Sequence, residues 1–179
     1  MIFAIIGICI VILIITFFIL FINKNKQIKN YLYKINVGEE EIIKNLKIKL
    51  NIMSEICTIQ TDITKIESNL FAKIKSEKED DIKSFACISA LDEAYDEILS
   101  IDEDYDVVLK NNDKYLTLFK DLNEVNTKLT CLGTFYNKYA IQYNNDLDNL
   151  LGKILKKKNK YNIKKLYVGD TLEEEVNLN

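Results

Sequence analysis

The residues from Ile2 to Ile22 limit what this chain can become more than any other stretch. Twenty-one consecutive positions carry no charge, and seventeen of them are Ile, Leu, Phe or Val. A helix rises about 1.5 Å per residue, so the run covers roughly 30 Å, the thickness of a bilayer's hydrocarbon core. At roughly −0.3 to −0.6 kcal/mol per apolar residue, insertion gains on the order of 5 to 10 kcal/mol. Gly7, Cys9 and Thr16 do not oppose it, because a spanning helix tolerates all three. So many isoleucines suit a helix poorly in water, but in lipid the backbone has no partner except itself. A cleaved signal peptide would show a basic leader, a shorter apolar stretch and small residues before the cut. Here Met1 leads straight into the run and Phe21-Ile22-Asn23 is no cleavage site. A retained transmembrane anchor over residues 1–23 is expected.

The remainder is long enough for one soluble domain. Charged residues make up 28% of the chain, every basic one is lysine, and the net charge is −3. That balance argues against general nucleic-acid binding. Proline, tryptophan and histidine are absent. Without proline the strongest helix breaker is missing, and without histidine so is the commonest general base and metal ligand. Cys9 falls in the anchor, while Cys57, Cys87 and Cys131 lie far apart with no CxxC between them. Neither a zinc site nor a redox pair is suggested, so the cysteines read as small hydrophobes in a reducing compartment.

Three apolar stripes at helical spacing organise the soluble part. The first runs Ile42, Leu46, Leu50, Met53, Ile56, Ile59, Ile63, Ile66, Leu70 and Ile74. The second runs Ile82, Phe85, Ile88, Leu91, Tyr95, Ile98, Ile101, Tyr105 and Val108. The third runs Leu118, Leu122, Val125, Leu129, Leu132, Tyr136, Tyr139, Tyr143, Leu147, Leu150 and Ile154. Steps of three and four put one seam along each helix, as in coiled coils and bundles. The spacing predicts an all-α fold in which the anchor leads into a long antiparallel bundle over residues 24–160. Connections are expected at Ser76-Glu77-Lys78-Glu79-Asp80-Asp81 and at Asn111-Asn112-Asp113, with Asn112 or Asp113 capping a third helix of some forty residues. Lys24 to Val37 should continue the anchor helix, with Gly38 a weak point, and residues 161–179 read as a tail.

Few residues invite a functional reading. Asp102, Asp104 and Asp106 hold the first three acidic positions of a calcium loop, but Val107 stands where glycine is needed and Asp113 where glutamate is. A solvated helix end is expected instead. Tyr136-Asn137 and Tyr143-Asn144 stand one heptad apart. They could line a ligand site between helices, but polar seam positions that set helix register are the favoured reading. Lys153, Lys156, Lys157, Lys158, Lys160, Lys164 and Lys165 crowd one segment without an acid. Anionic lipid is the natural partner for such a run, and a solvated basic tail explains it equally well. No phosphate loop, activated nucleophile or ligand cluster appears, so no catalytic residue, cofactor or metal is expected.

The chain resembles the LemA family, membrane-anchored bacterial proteins with a helical-bundle domain, from the anchor to about Ile154. Leu109-Lys110-Asn111-Asn112-Asp113-Lys114-Tyr115-Leu116-Thr117-Leu118, followed by Leu122, is similar to that family's LKxNxxFxxLxxxL segment. Tyr136-Asn137 and Tyr143-Asn144 look like its paired YN motifs, Asn51 to Cys57 falls where it has DLIPNLV, and Glu67 matches an acidic position. Ser54 replaces the family's proline, and Gly133 and Thr134 stand where it places arginines. That family has no settled enzymatic role, so the resemblance implies architecture and location rather than mechanism. The expected function is a non-enzymatic, single-pass scaffold or adaptor at the membrane. Lipid binding or remodelling and tethered regulation of an enzyme are the rival classes. Expected partners are the bilayer, an unidentified protein and, through the seams, a second copy of the chain. Lys24, Lys26, Lys29 and Lys34 follow the anchor closely, which places the soluble part in the cytoplasm.

Overall fold

The computed structural model describes residues 2–76, 82 and 85–168. Among them there is no strand. Six α-helices follow in order: α1 Ile2–Thr64, α2 Asn69–Ser76, α3 Ile88–Asp104, α4 Asp106–Leu109, α5 Asp113–Asp148 and α6 Leu150–Asn159. A 3₁₀ turn, Phe85–Cys87, precedes α3. The fold is an all-α helical bundle with one long apolar N-terminal helix. The chain divides into two compact units, Met1–Val37 with Tyr136–Leu166 and Gly38–Phe135 with the chain from Tyr167.

Helix α1 carries the apolar run, long and apolar enough to cross a membrane, with none of that window buried. It continues unbroken through Gly38. A glycine costs about 1 kcal/mol in a helix interior. Ile35 and Ile42 on either side are fully buried, and such a side chain contributes about 1.5 to 3 kcal/mol, so burial wins.

In the first unit α5 runs antiparallel to α1. Tyr139 meets Tyr31 and Lys34, and one end further on Asp146 meets Lys24. Ile28, Ile35, Tyr136, Ala140, Tyr143, Leu147 and Leu155 are buried apolar residues of this unit. In the second unit α3 runs parallel to α1, since Lys49 bonds to Asp92 and Gln60 to Ile98. Helix α5 runs back against α3, pairing Asn123 with Tyr95 and Tyr115 with Asp102. Helix α2 folds back on α1, its Lys75 reaching Thr61.

Three breaks depart from the stripes. Helix α1 stops at Thr64, where Lys65 takes a left-handed conformation (φ 61°) and Ser68 Oγ caps α2 by accepting from Phe71 N–H at 3.0 Å. Ile59, Ile63, Ile66 and Leu70 are only half-buried as a result, and Phe71 takes the buried place. The second stripe breaks at Tyr105, leaving Val108 exposed and Leu109 buried. The third breaks at Asn149, whose Oδ1 accepts from Gly152 N–H at 2.8 Å and starts α6. The expected cap Asn112 is in place, its Oδ1 accepting from Tyr115 N–H at 3.0 Å. Of the acidic connection, Glu77 to Asp81 lie outside the described residues, as does the end of the chain from Gly169.

Candidate functional site

Polar groups gather in two places, one in each unit. In the second unit, α1, α3 and α5 meet around Gln60, which is fully buried. Its Nε2 donates to the Ile98 carbonyl at 3.0 Å and to the Tyr115 hydroxyl at 3.2 Å. Tyr115 Oη donates to Asp102 Oδ1 at 2.8 Å. Burial, and then this bond to Asp102, push the Tyr115 hydroxyl above its usual range, so it stays protonated. About three turns earlier on α1, Lys49 pairs with Asp92 at 2.8 Å and lies 5.2 Å from the Tyr95 ring centre. Lys49 is 4% exposed and the Asp92 side chain 17% exposed, so the pair is largely desolvated and sensitive to loss of either partner. Cys57 is buried nearby, and desolvation pushes its thiol up to about 12, which makes it inert at neutral pH. The chemistry available here is the fixing of three helices in register.

The aspartates of the second unit have separate employments. Asp102 accepts from Tyr115, and Asp106 pairs with Lys110, whose ammonium it holds protonated. Among the described residues no three of His, Cys, Asp or Glu converge as metal ligands would.

The first unit gathers the tyrosines and asparagines singled out in the sequence. Tyr136, Asn137 and Tyr143 are buried. Asn144 is half-buried and clasps the extended segment after α6. Its Nδ2 donates to the Lys164 carbonyl at 2.8 Å and its Oδ1 accepts from Lys164 N–H at 3.0 Å. Tyr136 Oη donates to the Lys165 carbonyl at 2.9 Å, and the Tyr143 and Tyr161 rings meet edge-on at 6.2 Å. Burial, with Tyr161 adding to it, raises the Tyr143 hydroxyl above its usual range. Residues 161–166 are therefore a strap along α5 rather than a loose tail. Its continuation is also held, Tyr167 being buried against Phe85 in the second unit.

The seven lysines divide between two elements. Lys153, Lys156, Lys157 and Lys158 lie on α6, Lys160 caps it in a left-handed conformation (φ 54°), and Lys164 and Lys165 belong to the strap. Lys153, Lys157, Lys158, Lys160 and Lys165 are exposed. Helix α6 lies against the point where α1 leaves its apolar run. Lys158 Nζ stands 5.7 Å from the Phe21 ring centre, and Asn159 Nδ2 donates to Asn25 Oδ1 at 3.4 Å. Lys24 Nζ pairs with Asp146 at 2.7 Å just before α6 begins. Sequence reading missed Gln60, because one glutamine in a polar sequence carries no signal until its neighbours are known.

No protein-family model, curated protein or solved structure matches this chain.

Proposed function

We propose that this chain is a non-enzymatic, single-pass membrane protein of the LemA kind. It acts as a scaffold or adaptor, with its bundle on the cytoplasmic side of the cell membrane. One observation carries the reading. The uncovered apolar run and the seam residues Ile28, Ile35, Ile42 and Leu46 belong to one uninterrupted helix. A helix that is apolar all round and uncovered needs lipid, and a helix with one buried stripe needs a bundle. Here α1 meets both needs without a linker. The resemblance of Leu109 to Leu118 and of the two Tyr-Asn pairs to LemA motifs supports the same architecture. Exposed apolar side chains at Val107, Val108 and Leu116 supply surface on which a protein partner could be held.

Alkaline extraction of membranes tests the anchor. The full chain is expected to stay in the pellet, and a chain lacking residues 2–22 to be released. Photo-crosslinkers at Val107 and Leu116 in intact membranes test the adaptor role. A discrete crosslinked protein supports it, a crosslink to a second copy turns the reading to self-association, and no product at either position sinks it.

A further inference from the structure

The exposed face of helix α6 combines apolar side chains with lysines. Its buried side is Gly152 and Leu155. Its outward side carries Leu150, 77% exposed, and Ile154, 44% exposed, one turn apart. On a helical projection Lys157 falls beside this apolar pair, with Lys153 and Lys158 flanking it. Among the described residues none of Lys153, Lys156, Lys157 or Lys158 enters an ion pair. In water such a face gains nothing from its leucine and isoleucine.

The placement of α6 on α1 explains it. At its start, Leu150 shares a concavity with Leu20, Asn23, Lys24 and Gln27. At its end, Lys158 stands over Phe21 and Asn159 bonds to Asn25. Both ends therefore meet the same stretch of α1, residues 20–27, which spans about 10 Å along the axis, whereas α6 is about 14 Å long. A helix of about 14 Å with both ends on a stretch of about 10 Å must lie obliquely over α1. If residues 2–22 fill the hydrocarbon core, residues 20–27 stand at the headgroups, and a helix crossing there lies in the plane of the bilayer surface.

We propose that α6 is a membrane-surface helix. Leu150 and Ile154 enter the headgroup layer of the bilayer that holds α1, and Lys153, Lys157 and Lys158 bind phosphates of anionic lipid. The inference rests on α1 being a span. The apolar face is continuous with the apolar run at Leu20 and Phe21, and the unpaired lysines match an anionic surface in sign. Because α6 is folded onto α1, it is presented to lipid without first having to be captured from solution.

The chain contains no tryptophan, so one introduced indole reports its own depth. The full chain with Leu150→Trp, and separately with Phe18→Trp, is reconstituted into phosphatidylcholine vesicles with and without phosphatidylglycerol. Each vesicle type is also prepared with brominated lipid as quencher. The indole at position 150 is expected to be blue-shifted and quenched, more strongly in anionic vesicles. Replacing Lys153, Lys157 and Lys158 by glutamine should remove that difference. Quenching at position 18 with a solvent-like, unquenched spectrum at position 150 overturns the surface helix and leaves the anchor standing. An unquenched position 18 overturns the anchor and the surface helix together. Equal quenching of position 150 in neutral and anionic vesicles overturns the assignment of the lysines to anionic lipid.

Discussion

Asn144 holds Lys164 by both ends of one amide, and that changes what its replacement should do. A seam asparagine that only sets register trades stability for specificity, so leucine there would leave stability level or higher. A clasping asparagine contributes two hydrogen bonds of about 0.5 to 1.5 kcal/mol each. Asn144→Leu is therefore expected to destabilise the chain by about 1 to 3 kcal/mol. Hydrogen exchange should show Lys164 N–H losing protection while the amides of α5 keep theirs. A melt at or above the parent's would return Asn144 to the role of a register residue. Cys57 offers a second test, through pH. Burial raises its thiol from 9.0 to about 12, so the folded state keeps a proton that the unfolded state gives up. Between those values the unfolded state binds fewer protons, and stability falls as pH rises. The contribution is whole below about 9 and fades toward about 12, a loss on the order of 3 to 4 kcal/mol. Cys57→Ala leaves a small void, costing stability at neutral pH, yet it should flatten this decline. Denaturant melts at pH 8 and pH 10.5 would measure it, and an equal decline in both proteins would assign the alkaline loss elsewhere.

The break between α5 and α6 depends on one close approach. At Gly152 an added Cβ would overlap the carbonyl oxygen of Asp146, which is backbone and cannot rotate aside. Alanine is the better helix former by about 1 kcal/mol, and on propensity alone Gly152→Ala would stabilise α6. Overpacking against fixed atoms costs about 1 to 3 kcal/mol and wins, so a net loss is expected in chemical denaturation. Opposite in sign is Lys65→Gly at the end of α1. Lys65 sits at φ 61°, where a residue with a Cβ is strained by about 1 to 2 kcal/mol. Glycine removes that strain and loosens the unfolded chain, for a net gain of up to about 1 kcal/mol in the same assay. These two positions also show what the sequence could and could not reveal. The periodicity of Ile42, Leu46, Leu50, Met53 and Ile56 located the core face of α1, and all five are buried. The cap of α5 was legible to within one residue, as Asn112 or Asp113, because either side chain before an apolar-periodic run can accept from the first free N–H groups, and Asn112 takes the role. Leu150 and Ile154 fitted the third stripe equally well but point outward, since the break at Asn149 hands the buried positions to Gly152 and Leu155. Stripe counting assumes a straight helix, and one capped asparagine resets its phase. The Tyr-Asn pairs were visible as a pattern, but their strap was not. Residues 161–166 have no periodicity, and hydrogen bonds from side chain to backbone hold them.

At the scale of the molecule, the proposed orientation across a membrane rests on when its charges act. In the folded chain Lys24 is paired with Asp146, and both side chains are less than a fifth exposed. That pair forms only after α5 has been made, far later in the chain than the anchor. At insertion all four of Lys24, Lys26, Lys29 and Lys34 are unpaired and within reach of the rule that basic flanks stay inside, to which acids contribute little. The Lys24–Asp146 pair therefore does not weaken the expectation of a cytoplasmic bundle. The cysteines provide the measurement, and their burial decides which one reads it. Cys57 is buried, so thiol reagents would miss it in the native protein, whereas Cys131 is exposed. A membrane-impermeant maleimide added to intact cells is expected to leave the native chain unlabelled. The same reagent added after gentle lysis should label it, and Cys131→Ser should remove most of that signal. Labelling of Cys131 from outside intact cells would place the bundle on the opposite face, and the basic flank would then have failed to set the topology.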